Sequence, residues 1–336
     1  MKPNLLVTLA TADYIDQAKQ LFSSVYFNAG WKGDYMLLAY EIPEEKLVWF
    51  RERGIGVKHC KQLHNSLSSN IQYNDIDSEK DISVEQKRFV TRFRNLPVVF
   101  SKFELFTTEF KKWNTVVFLD ADIIVRYSLD KLLNLKGFYA VPDLDNLSLK
   151  DQFFVHRSKP LGYLYEQLKT NFNLNTPAFN SGVMAFSTDM IEEDSFQRLL
   201  DIFLQYYNSS TYGEQPILNL FLYKKWKKLH PIYNVFANSL VQRFHISTKK
   251  IDGITLHILS EDKPWLPSNP FYTEWKKNLE KAEFINLKER PKTSYFFGTS
   301  KKIHYFLFIE CRKVLYEVYY FLDRQIGRIG IFLRKL

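Results

Sequence analysis

Two carboxylates one residue apart are the side chains of this sequence best placed to do chemistry. Asp120 and Asp122 follow the apolar run 116–119, and a second apolar run, 123–125, comes directly after them. Hard divalent cations such as Mg²⁺ and Mn²⁺ prefer oxygen ligands and often bridge substrate phosphates. The pair therefore indicates either a metal site or a surface turn that happens to hold two acids, and the spacing alone leaves both readings open.

A buried parallel strand is the element that must position the pair. The β-branched run before Asp120 is typical of strands covered on both faces, as in α/β domains, where ligands bind beyond the carboxyl ends of the strands. The segments upstream alternate between predicted strands and helices: 4–10, 15–27, 35–39, 43–53 and a short third strand from Gly54. This βαβαβ opening predicts a doubly wound α/β fold. It carries no Gly-x-Gly-x-x-Gly, so a dinucleotide fingerprint is excluded.

The middle of the chain is less regular. We expect residues 58–95, which are polar, to leave the sheet as a mobile loop. A helix is predicted over 97–110 from its phenylalanine spacing, and a tight turn at 180–182 should precede a short strand over 183–186. A last strand is predicted over 255–259.

Composition sets further bounds. The chain has 336 residues, 46% of them hydrophobic, with 46 Lys and Arg against 37 Asp and Glu, for a net charge of +9. That balance favours anionic partners such as phosphates or acidic lipid. Only two cysteines occur, so a reducing compartment is expected rather than a disulfide framework. Neither a signal peptide nor an apolar run of about 18 residues is apparent, so we expect a cytoplasmic protein.

Four blocks, in order, resemble glycosyltransferase family 8, the retaining enzymes that include the glycogenins and bacterial lipopolysaccharide galactosyl- and glucosyltransferases. The blocks are 7–14 (Val-Thr-Leu-Ala-Thr-Ala-Asp-Tyr), 118–122 (Phe-Leu-Asp-Ala-Asp), 179–183 (Phe-Asn-Ser-Gly-Val), and His257 followed six positions later by Lys-Pro-Trp. A weaker fifth block covers 213–219. The Asp-x-Asp block is common to many folds, whereas the His-to-Lys-Pro-Trp spacing is specific. The resemblance spans roughly residues 4–266.

The resemblance implies a GT-A fold, with a mostly parallel sheet flanked by helices in a catalytic domain over 1–285. It also implies transfer of a hexose, glucose or galactose, from a UDP-sugar to a hydroxyl of a glycan or glycolipid, with retention of configuration. Asp120, Asp122 and His257 correspond to the metal ligands. Two carboxylates and one imidazole suit Mn²⁺, with Mg²⁺ as the other candidate.

The family's donor site maps onto further positions. Thr8, Ala10 and Tyr14 correspond to residues around the uridine, and the donor-sugar positions are Lys102, Asp120, Asp143, Asn180 and Ser181. The catalytic positions are Glu214, Gln215 and Lys263. Either Glu214 or Gln215 would lie beneath the anomeric carbon, and Lys263 would contact the diphosphate. Glu214 stands where the family usually has Asp, and Ser260 where glycogenin has Gly. These departures leave the identities of the sugar and the acceptor open.

Two other classes of function stay open on the residues alone. The segment 117–122 also resembles the first motif of haloacid-dehalogenase-type phosphatases, in which Asp120 would be the nucleophile and Asp122 an acid. That family wants Thr or Val at the position of Ile124 and places this motif near the start of its fold. A non-enzymatic alternative is a sugar-nucleotide-binding protein on an inactive glycosyltransferase fold.

The end of the chain has its own pattern. We expect a linker over 286–300 and an amphipathic helical tail over 301–336, which is aromatic and holds eight Lys or Arg against three acids. Its charges argue against a membrane-spanning helix and favour the surface of an anionic bilayer, near a lipid-linked acceptor on the inner face of the membrane. A helix packed on the catalytic domain or an oligomer contact is the alternative. Nucleic acid is not expected as a partner.

Overall fold

The structure is a computed structural model. It describes residues 2–60, 97–144, 147–153, 162–206, 210, 212–259, 261–289, 293–319 and 321–322. Most of the segment expected to be a mobile loop, the middle of the irregular stretch after Asp143, and the end of the tail lie outside these residues. The first three residues of the predicted loop, 58–60, instead belong to the strand Gly56–Cys60.

A seven-stranded sheet forms the frame of the described chain. Its strands are β1 (Leu5–Ala10), β2 (Asp34–Tyr40), β3 (Gly56–Cys60), β4 (Thr115–Leu119), β6 (Phe138–Pro142), β7 (Phe179–Ser187) and β8 (Trp226–Lys228). Their order is β3-β2-β1-β4-β7-β6-β8, with β7 antiparallel to both of its neighbours and the other pairs parallel. The predicted α/β fold with a mostly parallel sheet is confirmed.

A smaller three-stranded sheet lies next to it. It consists of β5 (Ile123–Val125), β9 (Val235–Phe236) and β10 (Thr255–His257), in the order β5-β10-β9. Because β5 begins directly after the Asp-Ala-Asp segment that follows β4, the chain passes from the large sheet to the small one within that segment.

Helices cover the sheets. The α-helices are α1 (Ile15–Ser24), α2 (Glu44–Glu52), α3 (Leu149–Gln152), α4 (Gly162–Asn171), α5 (Ser195–Tyr206), α6 (Gln215–Phe221), α7 (Ala237–Gln242), α8 (Tyr272–Lys281) and α9 (Thr299–Tyr305). Two π-helical segments, Val25–Ala29 and Phe306–Glu310, extend α1 and α9. Short 3₁₀ turns complete the connections, the longest of them over Pro97–Phe106.

The central strands are buried on both faces, as their apolar runs predict. In β4, Val117 and Leu119 face a core shared with α1 and α8, while Val116 and Phe118 face a second core on the other side. The second core is rich in phenylalanine, and the rings of Phe106 and Phe186 stack within it, 5.3 Å apart. Asp120 therefore leaves the sheet directly after a strand that is buried on both faces.

Two local predictions differ from the structure. The segment predicted as an α-helix over 97–110 forms 3₁₀ turns over Pro97–Phe106 and Thr108–Lys112, because a spacing of three residues also suits the 3₁₀ period. The predicted turn at 180–182 is part of the continuous strand β7. Its polar side chains favour a turn in the sequence, but buried hydrogen-bond partners let them remain in a strand.

The C-terminal segment packs on the domain. Tyr295 N donates to the Asn28 carbonyl (2.9 Å), so part of the predicted linker is tied to the end of α1. Tyr305 and Ile309 are buried in the core, and Tyr316 lies against Phe244. The helix continues over residues 311–319. Within the described chain, no helix is both long and apolar enough to cross a membrane.

Candidate active site

Neighbouring strands bring the two aspartates and the histidine together. After β4 ends at Leu119, the Asp120 N–H donates to the Gly182 carbonyl on β7 (2.9 Å). Antiparallel pairing of β5 with β10 then sets His257 opposite Ile123, one residue beyond the second aspartate. Residues from distant parts of the sequence therefore meet where the two sheets join, at the carboxyl end of the central strand.

The three predicted metal ligands form one cluster. Ligand atoms of Asp120, Asp122 and His257 all lie within 4.8 Å of one another. His257 Nε2 is 3.1 Å from Asp122 Oδ1 and 4.0 Å from Asp120 Oδ2. The histidine is buried, while both carboxylates are partly exposed. Two hard oxygen donors and one imidazole, converging on one point, fit a divalent cation such as Mn²⁺ or Mg²⁺.

Lys263 lies at the same point. Its Nζ contacts Asp122 Oδ2 (2.5 Å) and the Ile258 carbonyl (3.0 Å), and about a quarter of the side chain is exposed. Burial raises the pKa of Asp122, but the neighbouring His257 and Lys263 outweigh it and hold that pKa well below its usual value. Asp122 is therefore ionised, as a metal ligand must be.

A second lysine holds the other aspartate. Lys102 Nζ lies 2.6 Å from Glu214 Oε1, 2.9 Å from Asp120 Oδ1 and 3.4 Å from Ser181 Oγ. Lys102 and Glu214 are each 4% exposed. Burial lowers the pKa of Lys102, but Asp120 and Glu214 raise it by more than burial lowers it. The pKa is therefore above its usual value, and the ammonium stays charged. The two acids thus share one buried cation.

Amide side chains fill the space behind this pair. Gln215 Oε1 accepts from Asn180 Nδ2 and from the Ser181 backbone N–H, both at 3.0 Å, and Gln215 Nε2 donates to Asp143 Oδ2 (2.8 Å). Asp143 also accepts from Gln152 Nε2 (3.0 Å). Burial raises the pKa of Asp143 despite these donors. All these predicted donor-sugar positions lie in one connected network.

The predicted uridine positions divide into two kinds. Tyr14 is 40% exposed, and its ring meets Trp265 edge-on with centroids 5.5 Å apart. Ala10 is buried at the end of β1. Thr8 is fully buried, and its hydroxyl donates to the Leu119 carbonyl (2.8 Å). The Thr8 side chain therefore joins β1 to β4, whereas Tyr14 offers an accessible ring.

Three residues of the site are not revealed by the sequence. Asn234 Oδ1 lies 2.9 Å from His257 Nδ1, and Gln152 supports Asp143. Both stand outside any recognisable motif, so no sequence signal marks them. Gly182 is predicted only as a turn residue, but a Cβ there would lie 2.3 Å from His257 Cε1. The Asn-Ser-Gly block thus needs glycine because the histidine ring occupies the space of a side chain.

The chain is similar to known proteins in sequence and in fold. The family described as "Glycosyl transferase family 8" matches residues 5–268. Glycosyltransferase GlyB of Streptococcus pneumoniae serotype 4 (strain ATCC BAA-334 / TIGR4) is 29% identical over 150 residues, which are 44% of this chain and 31% of GlyB. Galactinol synthase 4 of Arabidopsis thaliana is 24% identical over 193 residues, 54% of this chain and 53% of that protein. The matches thus span about a third to a half of these relatives' lengths.

Solved structures share the fold. The apo structure of the bifunctional glycosyltransferase WbbM has a TM-score of 0.57 at 17% identity, covering 85% of this chain and 52% of WbbM. Galactosyltransferase LgtC, in complex with donor and acceptor sugar analogs, has a TM-score of 0.55 at 15% identity, covering 89% of this chain and 99% of LgtC.

These likenesses show that the chain has the GT-A fold. Because the family match covers most of the sequence, the chain belongs to glycosyl transferase family 8. The haloacid-dehalogenase-type alternative is not favoured, since Asp120 follows three parallel strands and is paired with Lys102.

Proposed function

We propose that this chain transfers a hexose, glucose or galactose, from a UDP-sugar to a hydroxyl of a glycan or lipid-linked acceptor, with retention of configuration and with Mn²⁺ or Mg²⁺ bound. The observation that carries the proposal is the convergence of Asp120, Asp122 and His257 next to Lys263, at the carboxyl end of a buried strand. A bound metal ion and the Lys263 ammonium would together offset the negative charge of a diphosphate.

Asp120, Asp122 and His257 are the residues that would hold the cation, and a bound cation supplies Lewis-acid stabilisation of charge on the diphosphate. Lys263 shares Asp122 with this site. In the proposal its ammonium turns from that carboxylate to the diphosphate and offsets the charge that develops as the sugar–phosphate bond breaks. Its partial exposure supports this role, since the side chain has room to move.

The buried residues orient the sugar. In the proposal, Asp143, Asn180 and Gln215 bind its hydroxyls, and Glu214 lies beneath the anomeric carbon, where its negative charge favours an electron-poor transition state. The acceptor oxygen bonds to the anomeric carbon on the side from which UDP leaves. The electron pair of the broken carbon–oxygen bond passes to UDP, and the hydroxyl proton passes to a departing phosphate oxygen.

A screen of UDP-sugars for Mn²⁺-dependent UDP release tests the reaction, with Asp122→Ala and His257→Ala as the site variants. We expect each to lower turnover by at least about 10²-fold, because each removes a metal ligand. Asp130→Ala and His59→Ala are matched controls, since both residues are exposed and lie outside the cluster. Near wild-type turnover in either site variant would show that the metal assignment is wrong.

The same screen separates the other classes of function. Binding of a UDP-sugar without transfer or hydrolysis would identify a sugar-nucleotide-binding protein. Phosphate release with a trapped aspartyl-phosphate would identify a phosphatase. A preference for a GDP- or CMP-sugar would overturn the uridine assignments of Thr8, Ala10 and Tyr14 together.

We also propose that the protein binds and acts at the surface of an anionic membrane. The helix after Gly298 buries Tyr305 and Ile309, but along its other side Phe306, Leu315 and Val318 are each more than half exposed. The segment 301–336 has a net charge of +5. Exposed apolar side chains beside basic ones suit an acidic bilayer, where a lipid-linked acceptor would lie.

Vesicle sedimentation with the full chain tests this placement. Truncation before α9 is a poor design, because it removes the buried Tyr305 and Ile309. Leu315→Glu with Val318→Glu should instead release the protein from phosphatidylglycerol-rich vesicles. Phe284→Glu changes an apolar residue elsewhere that is even more exposed, and serves as the control. Equal binding by all three proteins would contradict the placement.

A further inference from the structure

Asn234 lies directly behind the metal-ligand cluster. It is 1% exposed and precedes β9, the strand that pairs with β10 and sets Phe236 beside His257. Its Oδ1 is 2.9 Å from His257 Nδ1, and its Nδ2 is 2.9 Å from Asn180 Oδ1. The side chain therefore joins the buried amide network to the imidazole.

Two successive backbone N–H groups fix the direction of this network. The Gly182 N–H donates to Asn180 Oδ1 (3.0 Å), and the Ser181 N–H donates to Gln215 Oε1 (3.0 Å). A backbone N–H can only donate, so each amide must place its oxygen at that point. Asn180 Oδ1 therefore also accepts from Asn234, which must donate through its Nδ2. The Asn234 Oδ1 is then directed toward the histidine.

The orientation of Asn234 decides which imidazole nitrogen carries a proton. An amide oxygen can only accept, so His257 Nδ1 keeps its proton and donates it. Nε2, which faces Asp122 at 3.1 Å, is left as the nitrogen that can bind a cation. Gly182 closes the other side of the ring, because any Cβ there would overlap it.

We propose that Asn234 is a positioning residue that holds His257 with Nδ1 protonated and Nε2 directed at the cation. Partners behind a histidine ligand fix its tautomer and the orientation of its ring in this way. The inference rests on the proposed function, since it concerns the same metal site. It adds that the donor-sugar network and the metal site share one line of hydrogen bonds, from Asp143 through Gln215, Asn180 and Asn234.

The test measures Mn²⁺ binding by electron paramagnetic resonance of the free ion, without any donor sugar. Asn234→Ala should weaken Mn²⁺ binding by about 10- to 100-fold. Asn234→Asp loses the donor to Asn180 Oδ1 but keeps an acceptor for the Nδ1 proton, so it should still bind Mn²⁺ within about threefold of the wild type. Asn219→Ala is the matched control: Asn219 is equally buried, contacts Phe179 and lies outside the metal cluster. It should lose stability but keep its affinity for Mn²⁺.

A second readout needs no metal. In chelated, ¹⁵N-histidine-labelled protein, the Nδ1-bound proton of His257 should give a signal that His257→Gln removes. Asn234→Asp should keep this signal and Asn234→Ala should lose it. Wild-type affinity together with an unchanged signal in Asn234→Ala would overturn the inference. Failure of the wild type itself to bind Mn²⁺ would instead contradict the proposed metal site. If the alanine variant does not fold, loss of Mn²⁺ binding in soluble Asn234→Asp overturns the inference.

Discussion

Lys102 and Lys263 both pair with carboxylates of the site, but one lysine is buried and the other is partly exposed. In the buried half of the site, Lys102 is held between Asp120 and Glu214, and its side chain is 5% exposed. In the open half, Lys263 contacts Asp122 with 24% of its side chain exposed. A buried charge held between two acids has no freedom to follow a substrate, whereas a partly exposed charge can exchange partners. We therefore expect the first lysine to support the fold and the second to support the reaction.

Lys102→Met should give the largest effect. It leaves Glu214 buried without its cation, and breaking one side of a buried pair costs about 3–5 kcal/mol. Urea unfolding of the metal-free protein measures this loss. The double variant Lys102→Met/Glu214→Gln should recover much of the stability, because no uncompensated charge remains buried, yet it should not recover transfer. Similar unfolding curves for the wild type and Lys102→Met would remove the contrast between the two lysines.

Lys263→Met should act on turnover instead. We expect UDP release to fall about 10²-fold, as when a group that stabilises the leaving charge is lost. Stability should change by about 1 kcal/mol, because the pair is partly exposed. Steady-state kinetics and urea unfolding on the same sample separate the two quantities. A loss of stability as large as that of Lys102→Met would mean that Lys263 is structural too.

Gly182→Ala tests the close packing of Gly182 against the His257 ring. The new methyl group would meet His257 Cε1 at 2.3 Å, so the ring must move, at a cost of about 1–3 kcal/mol. Weaker Mn²⁺ binding should accompany the loss of stability. Gly298→Ala is the matched control, because a methyl group there meets nothing within 4 Å. Unchanged Mn²⁺ affinity in the Gly182→Ala variant would show that the ring position is not critical.

Acid titration should give the smallest and most discriminating effect. Burial raises the pKa of Asp143 in the native state. As the pH falls, this carboxyl therefore binds its proton in the native state before it does so in the unfolded state. Its contribution to the free energy of unfolding thus becomes more favourable as the pH falls toward about 4. Asp122 has a lowered pKa, so its contribution is present above about pH 4 and is lost below it. Metal-free unfolding curves of Asp143→Asn and Asp122→Asn against the wild type should diverge in opposite directions. Parallel pH profiles would contradict the two assignments.

The sequence predicts the strands around this site better than the side-chain hydrogen bonds within it. The apolar run before Asp120 predicts a buried strand correctly because both of its faces contact a core. The resemblance then selects His257, which only the pairing of β5 with β10 brings to the aspartates. Asn234 cannot be found this way, because its role depends on where two other side chains point. Likewise the start of β7 is predicted as a turn, since its polar residues find partners only in the folded protein.

The separation of Asp122 from Lys263, 141 positions along the chain, has a consequence for folding. The aspartates are synthesised early, with β4, but the strand and lysine that complete the site come near the end of the family's span. Closing so long a loop costs chain entropy, which the packing of β10 between β5 and β9 must offset. A nascent chain that ends before β10 therefore holds both acids and no assembled site. The proposed binding of a nucleotide-sugar would then be a late event, which requires that the last strand of the small sheet has docked.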